Sequence, residues 1–368
     1  MILKELTLKS FRCYDTFSLA MHPHLNIIIG NNAQGKTTIL EAIHILGLTK
    51  SHKTIQDFKL IKKTNEYAKI NALFDLNSRK VELSMVLSKN GKKAKYNKIE
   101  VSKLSDYIGI INVVMFAPED LELIKGSPQN RRRFLDIEIG QISKSYVNTL
   151  SHYKRLLKER NEVLKSLGQS QKFDERTLEV ITEQLIHYAE KIITARQRFI
   201  KRISEKIKTI LPIITKDDPM FTIQYEPSVN TQLKKAYDQK KAIDLLLKST
   251  QIGPHRDDMQ FYFNEEPLKT FASQGQIRSV ALALKLAVVE VIYEEKKSYP
   301  IVLLDDVFSE LDRHRQRRIL QYLQDNTQVF ITTTQVDHID FSSIEDYKLI
   351  TIDAGKIKGD ETHGRKTL

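Results

Sequence analysis

Hydrophobic and polar positions alternate over Met1-Ile2-Leu3-Lys4-Glu5-Leu6-Thr7-Leu8, which predicts a strand. The apolar run Leu25-Asn26-Ile27-Ile28-Ile29 predicts a second, buried strand, and Ile39, Leu40, Ala42 and Ile43 keep the spacing of a helix behind it. Lys80 to Leu87 and Tyr96 to Val101 flank the turn signal Asn90-Gly91 and predict a hairpin, its tip crowded by Lys89, Lys92, Lys93, Lys95 and Lys98. Such a tip is either simply solvated or a contact for a nucleic-acid backbone.

Between Gln141 and Leu211 the period becomes helical. Tyr146, Leu150, Tyr153, Leu157, Leu164 and Leu167 form one seam of alternating four- and three-residue steps, with Arg160 the single polar intruder. After the break Gly168-Gln169-Ser170-Gln171, with Asp174 as candidate N-cap, a second seam runs through Leu178, Ile181, Leu185, Tyr188, Ile192, Ala195 and Phe199. Two seams and a short turn predict an antiparallel helical hairpin. From Pro212 to Gly253 the chain reads as polar loop. Strand and helix then alternate to Asp353, and Gly355 onward reads as a frayed tail.

The 368 residues suffice for more than one lobe. Lys and Arg number 58 against 46 acidic residues, a net charge of +12 that favours a polyanionic partner, nucleic acid or an anionic membrane surface. Cys13 is the one cysteine, which excludes an internal disulfide and a cysteine-based zinc cluster and fits a reducing compartment; its expected role is small core filler. No run approaches the roughly 20 apolar residues of a membrane span, so a soluble cytoplasmic protein is expected.

Gly30-Asn31-Asn32-Ala33-Gln34-Gly35-Lys36-Thr37 joins the buried strand to its helix and matches GxxxxGK[ST]. Its glycines allow backbone amides to close around phosphates, and the helix N-terminus adds partial positive charge. Lys36 is placed to reach the β and γ phosphates and Thr37 to ligate Mg²⁺. Far along the chain, Ile301-Val302-Leu303-Leu304 ends in Asp305-Asp306, carboxylates at the C-terminal end of a buried parallel strand. Asp305 is the candidate Mg²⁺ holder and Asp306 the residue that orients or deprotonates an attacking water. Ser273-Gln274-Gly275-Gln276 opens another helix. It is a cap or, joined with the first motif, a second phosphate receptor.

Together these residues resemble the heads of ABC-type ATPases of the SMC-like branch, and most of all the RecF family. Further carriers of the resemblance are Ser10-Phe11-Arg12, Thr49-Lys50-Ser51-His52, Phe116 to Leu121, Arg131-Arg132-Arg133-Phe134-Leu135-Asp136, Gly253-Pro254-His255-Arg256-Asp257-Asp258 and Leu303 to Asp312. The resemblance implies an α/β ATPase head with an inserted helical lobe: head at 1–115, lobe at 116–250 with its arm near 141–211, head again at 251–355, and a flexible tail at 356–368. It implies ATP held by Arg12 and by Gly30, Asn31, Asn32, Ala33, Gln34, Gly35, Lys36, Thr37 and Thr38, then enclosed by Ser273, Gly275 and Gln276 of a second copy. The expected dimer clamps double-stranded DNA or gapped junctions with single strands. It associates with RecR and indirectly RecO, helps load RecA, and is needed for normal SOS induction. Arg131 to Arg133 either touch DNA or face solvent, and His255 and Arg256 are candidate ion-pair partners.

Asp306 stands where transporter-type ATPases carry glutamate, which predicts slow, DNA-stimulated turnover suited to a switch. No histidine stands in Ile331-Thr332-Thr333-Thr334-Gln335, where the switch after the next strand is expected. A threonine of Thr332-Thr333-Thr334 is the candidate sensor of the γ-phosphate. Rival readings are a transporter ATPase subunit, whose helical subdomain would be shorter, and a non-hydrolysing nucleotide scaffold. A GTPase is a third, but Asn97-Lys98-Ile99-Glu100 only approximates its guanine-reading motif.

Overall fold

The computed structural model describes the chain except for residues 55, 168–174, 216–219, 230, 325–326, 336–345 and 365–368. The expected break at Gly168 to Gln171 and the N-cap at Asp174 therefore lie outside the described residues. In chain order, β1 (Ile2–Phe11), β2 (Tyr14–Ala20) and β3 (Leu25–Ile29) lead into α1 (Lys36–Leu48). Then come β4 (Tyr67–Leu76), β5 (Arg79–Ser88), β6 (Gly91–Tyr96), β7 (Ile99–Glu100), α2 (Leu104–Tyr107) and β8 (Val113–Phe116). The helical stretch holds α3 (Glu122–Lys125), α4 (Pro128–Ile142), α5 (Lys144–Leu167) and α6 (Glu175–Ile214). It is followed by β9 (Phe221–Glu226), α7 (Leu233–Leu247), β10 (Asp258–Phe263), β11 (Glu266–Pro267) and α8 (Leu268–Phe271). Last are α9 (Gln274–Lys296), β12 (Ile301–Asp305), α10 (Arg313–Gln324), β13 (Val329–Thr333), β14 (Tyr347–Asp353) and β15 (Lys356–His363).

Two compact units result, one of Met1–Asp120, Thr209–Asp217 and Leu282–Leu368, the other of Leu121–Lys208 and Asp218–Ala281. The division differs from the expected one at 116–120 and 209–217, which go with the first unit, and at 251–281, which goes with the second. β10 pairs with β9 over its whole length, from Asp258 opposite Glu226 to Phe263 opposite Phe221, which keeps that stretch with the helical lobe.

In the first unit, one sheet is ordered β15-β14-β3-β13-β12-β8 and the other β2-β1-β4-β5-β6-β7. β3, β12 and β13 are wholly buried and parallel to their neighbours, which is why they read as unbroken apolar runs. The second sheet is antiparallel and alternates. Leu8, Ile70, Met85 and Ala94 point into the core, where they join Ile39, Leu40 and Ile43 of α1.

Three expectations are corrected here. The supposed tail is β15, an edge strand laddered to β14 from Lys356 to His363. Its polar sequence misled because an edge strand is held by main-chain bonds and needs little burial. The supposed loop after Pro212 contains β9 and the 15-residue α7, whose lysines mask its buried Leu233, Ala236 and Tyr237. α6 continues through Pro212 to Ile214.

In the second unit the seams hold in outline. Tyr146, Tyr153, Leu164, Leu178, Leu185, Ile192 and Phe199 are buried, while Leu156 and Ala189 take more of the burial than Leu157 and Ala195. Arg160 is buried with purpose. Its guanidinium donates to Asp244 Oδ2 at 2.8 Å, Thr250 Oγ1 at 2.7 Å and Thr182 Oγ1 at 2.8 Å, and lies 5.1 Å from the Tyr237 ring centroid.

Candidate nucleotide site

The chain leaves β3 at the C-terminal end of its sheet and turns through Ala33 (φ 65°) and Gly35 (φ 109°) into α1. A side chain at Gly35 would meet the Tyr14 hydroxyl at 2.8 Å and the Cys13 Sγ at 2.9 Å, and Tyr14 donates to the Gly35 carbonyl at 3.2 Å. Glycine is therefore required by conformation and by space. Gln34 is tied on its far side: its carbonyl accepts the Gly355 N–H at 3.1 Å and its side-chain oxygen accepts the Ala354 N–H.

Lys36 Nζ is held by the carbonyls of Gly30 at 2.5 Å and Asn31 at 2.9 Å. Burial lowers its pKa from the ordinary value, and the nearby Asp306 and Asp305 carboxylates oppose that shift. The Thr37 hydroxyl donates to Asp305 Oδ1 at 2.7 Å. β12 and β13 bring in the remainder. Because Asp305 is in register with Thr332, the Thr332 hydroxyl donates to Asp305 Oδ1 at 2.8 Å and accepts the Asp306 N–H at 3.0 Å. Thr332 is thus a clamp for both aspartates, a role visible only once the strands are paired. Thr333 instead donates to the Gln335 carbonyl at 3.1 Å.

Asp306 has φ 54°, in the left-handed region that aspartate tolerates better than most residues, and its Oδ1 is buried without a partner among the described residues. A buried acceptor left open beside Lys36 is suited to a proton on an incoming water. Lys53 Nζ stands 3.4 Å from Asp305 Oδ2. These groups surround a cleft of about 700 Å³ lined also by Asn32, Thr38, Lys59, Ile61, Lys62, Lys63 and Thr64. Six Lys and Arg side chains against two aspartates give it the charge of a polyphosphate receptor.

Arg12 lines the same cleft, yet its guanidinium fork is engaged by Glu41 at 2.8 and 2.9 Å, and Glu41 also accepts from Ser51 at 2.5 Å. Sequence reasoning missed Glu41, Lys53 and Tyr14, none of which stands in a phosphate motif. Cys13 is exposed in the cleft wall, contrary to the expected core filler.

No group of three or more His, Cys, Asp or Glu among the described residues is arranged as a metal cage. The oxygens at hand, Thr37 Oγ1 and the Asp305 carboxylate, fit Mg²⁺, which takes one or two protein oxygens and keeps its waters.

Ser273, Gly275 and Gln276 belong to the second unit. They form a reciprocal cap on α9: Ser273 N–H donates to Gln276 Oε1 at 2.8 Å and Gln276 N–H to Ser273 Oγ at 3.2 Å. All three are exposed, and a side chain at Gly275 would meet nothing within 4 Å.

Other singled-out residues have structural roles. Arg131 is buried and bonded to Asp258 at 2.7 and 2.9 Å, and Arg132 donates to the Asp257 carbonyl at 2.7 Å, so neither is a free cation. His255 bonds Tyr153 at 2.6 Å and the Thr250 carbonyl at 3.1 Å, while the ion pair of that motif belongs to Asp258. Asp120 accepts the Ala117 N–H at 2.8 Å and faces Lys285 at 3.2 Å. Lys92 is drawn from the hairpin tip to the Thr49 carbonyl at 2.6 Å and to Asp57 at 2.9 Å. Asn97 and Lys98, at φ 48° and 70°, form the turn into β7.

A phosphate loop after β3 and paired aspartates at the end of β12, a parallel strand separated from β3 by β13, define an ABC-type ATPase head. Residues 2–356 match the family model described as RecF/RecN/SMC N terminal domain. A DNA replication and repair protein RecF from Bacillus cereus (strain G9842) is 44% identical, covering 97% of this chain and 98% of the relative. The solved structure of the recombination mediator protein RecF-ATP in the RecFOR pathway superposes with a TM-score of 0.90 at 32% identity, over 98% of this chain and 97% of that one. An Smc head bound to the C-winged helix domain of ScpA shares the fold, with a TM-score of 0.58 at 16% identity over 100% of this chain and 98% of that one. The chain belongs to the RecF family.

Proposed function

We propose that the protein is an ATP-driven DNA-binding switch of recombinational gap repair and replication restart. The observation that carries this reading is the convergence of Lys36, Thr37, Asp305, Asp306 and Thr332 on one cationic cleft, in a chain similar to a RecF solved with ATP. Lys36 offsets charge on the terminal phosphates, the loop amides from Gly30 to Thr38 cradle them, and Asp306 aligns the attacking water and takes its proton. Thr37 and Asp305 would hold Mg²⁺, which when bound supplies charge neutralisation for the phosphates. Thr332 fixes both aspartates, and Arg12 shapes the cleft wall through Glu41.

The exposed cap at Ser273, Gly275 and Gln276 supports closure by a second copy. Amides at a helix start, without steric crowding, are a phosphate receptor that the Ser273 hydroxyl completes. In this reading ATP joins two heads, and the pair grips double-stranded DNA or a gapped junction. Dimer closure recruits RecR, and through it RecO, to load RecA and sustain SOS induction. Hydrolysis is slow and resets the clamp. A reducing, cytoplasmic setting accords with the single thiol, and no described helix is long and apolar enough to cross a membrane.

Sedimentation with and without ATP and gapped DNA tests the reading. ATP should convert monomer to dimer in the wild type but not in Lys36→Ala or Ser273→Arg. A nucleotide-loaded wild type that stays monomeric on gapped DNA would refute it.

A further inference from the structure

The outer face of the antiparallel sheet carries cations in a row set by strand register. Thr16 of β2 pairs with Lys9 of β1, Lys9 with Lys69 of β4, Lys69 with Val86 of β5, and Val86 with Lys93 of β6. Residues paired in this way share a face, and their Cβ atoms lie about 5 Å apart. Leu8, Ile70, Met85 and Ala94, the next residues along, are buried, so the lysine row faces outward.

Lys9 opposite Lys69 is a like-charge pair, an arrangement that destabilises a sheet when nothing lies over it. Neither lysine has a carboxylate in ion-pair range among the described residues, and Lys93 has only the exposed Glu100 at 3.0 Å. The adjoining row pairs Asn71 with Ser84, and both Asn71 Oδ1 and Ser84 Oγ are shielded from water without a hydrogen-bond partner among the described residues. The lysine row, not the Asn71 and Ser84 oxygens sealed beneath the face, marks a surface that a polyanion would complete. Two residues before Lys69 on the same face, Tyr67 is 43% exposed.

We infer that this face is a track for single-stranded nucleic acid, with phosphates on Lys9, Lys69 and Lys93 and a base stacked on Tyr67. The row crosses three strand spacings, about 14 Å, which matches about four nucleotide rises of a stacked strand. An aromatic flanked by lysines selects single strands because a duplex hides its base faces. The inference rests on the DNA-binding reading above and specifies where the unpaired strand of a gap would lie.

The test uses the full chain, a labelled oligothymidylate, a duplex of equal length and phosphatidylserine vesicles, over a series of salt concentrations. For Lys9→Gln/Lys69→Gln/Lys93→Gln, the slope of log affinity against log salt on the single strand should become shallower by about 2. Tyr67→Ala should lose about tenfold on the single strand and leave the duplex unchanged. As an integrity check, Lys9→Gln alone should raise the unfolding midpoint by removing the repulsion; a fall would make the lysine structural and overturn the assignment. An unaltered salt slope in the triple variant, an equal loss on duplex, or a loss confined to phosphatidylserine vesicles would each overturn it while leaving DNA binding itself intact. A wild type that binds neither oligonucleotide would instead refute the DNA-binding reading.

Discussion

The Thr37 hydroxyl donates to Asp305 Oδ1 at 2.7 Å across 268 residues of sequence. The two candidate metal oxygens thus satisfy each other, and Thr332 shares the same carboxylate oxygen. Thr37→Val removes one oxygen without changing shape much. Its affinity for Mg²⁺-ATP should fall at least tenfold, about 1.4 kcal/mol, while ATP affinity in EDTA stays near wild type. Equal losses with and without Mg²⁺, read by fluorescent nucleotide titration, would show that Thr37 does not serve the metal.

Asp306 is set one methylene shorter than the usual glutamate and held by its own main chain to Thr332. Steady-state turnover should stay below about 1 s⁻¹ even with DNA, at the bottom of the common enzyme range. Asp306→Asn should abolish it yet preserve ATP-dependent dimerisation. Tens of turnovers per second would contradict the switch reading.

Arg160 and Asp244 form a buried pair with both side chains almost inaccessible to water. Breaking it through Asp244→Asn should cost about 3–5 kcal/mol, since an uncompensated guanidinium stays buried. Arg160→Met/Asp244→Leu should be clearly more stable than either single variant. Urea unfolding measures both, and additive losses would argue against a coupled pair.

Gly253 and Gly275 should respond oppositely to alanine. At Gly253, φ is 119° and a Cβ would fall 2.7 Å from the Tyr153 hydroxyl and 2.8 Å from that of Tyr237, so Gly253→Ala should lose about 1–3 kcal/mol. At Gly275 the space is open and the backbone helical, so Gly275→Ala should gain up to about 1 kcal/mol of stability. The same variant should weaken ATP-driven dimerisation in sedimentation, because the added methyl stands where the second nucleotide face is proposed.

Burial lowers the pKa of His44 to about 3 and that of His255 to about 4, from an ordinary 6.5. With folded values below unfolded ones, the unfolded chain takes up protons first. The stabilisation is complete above pH 6.5 and is lost as pH falls toward 4, at up to about 1.4 kcal/mol per pH unit for each group. Urea midpoints at pH 7 and pH 5 should show the drop, and His255→Gln should flatten part of it. Equal midpoints at the two pH values would exclude this origin of acid sensitivity.

The phosphate loop, β12 and its two aspartates, and the helical seams were legible because each is written locally, in a short motif or a repeating apolar period. Thr332 was legible only as one of three threonines that could sense the γ-phosphate, since its hold on the two aspartates comes from lying beside Asp305 in register. Arg131 and Arg160 looked like surface or intruding charge because Asp258 and Asp244, their partners, lie 127 and 84 residues away. β15 and α7 were hidden by polar composition. A strand on a sheet edge and a helix with one buried stripe need few apolar residues.

β3, which delivers the phosphate loop, is flanked by β13 and β14, strands encoded some 300 residues later. During synthesis the nucleotide motif therefore leaves the ribosome long before the walls that shape it exist. A chain truncated before β13 and β14 would carry Gly30 to Thr37 without Thr332 and without the two strands that flank β3, so the cleft takes shape only once both have been made.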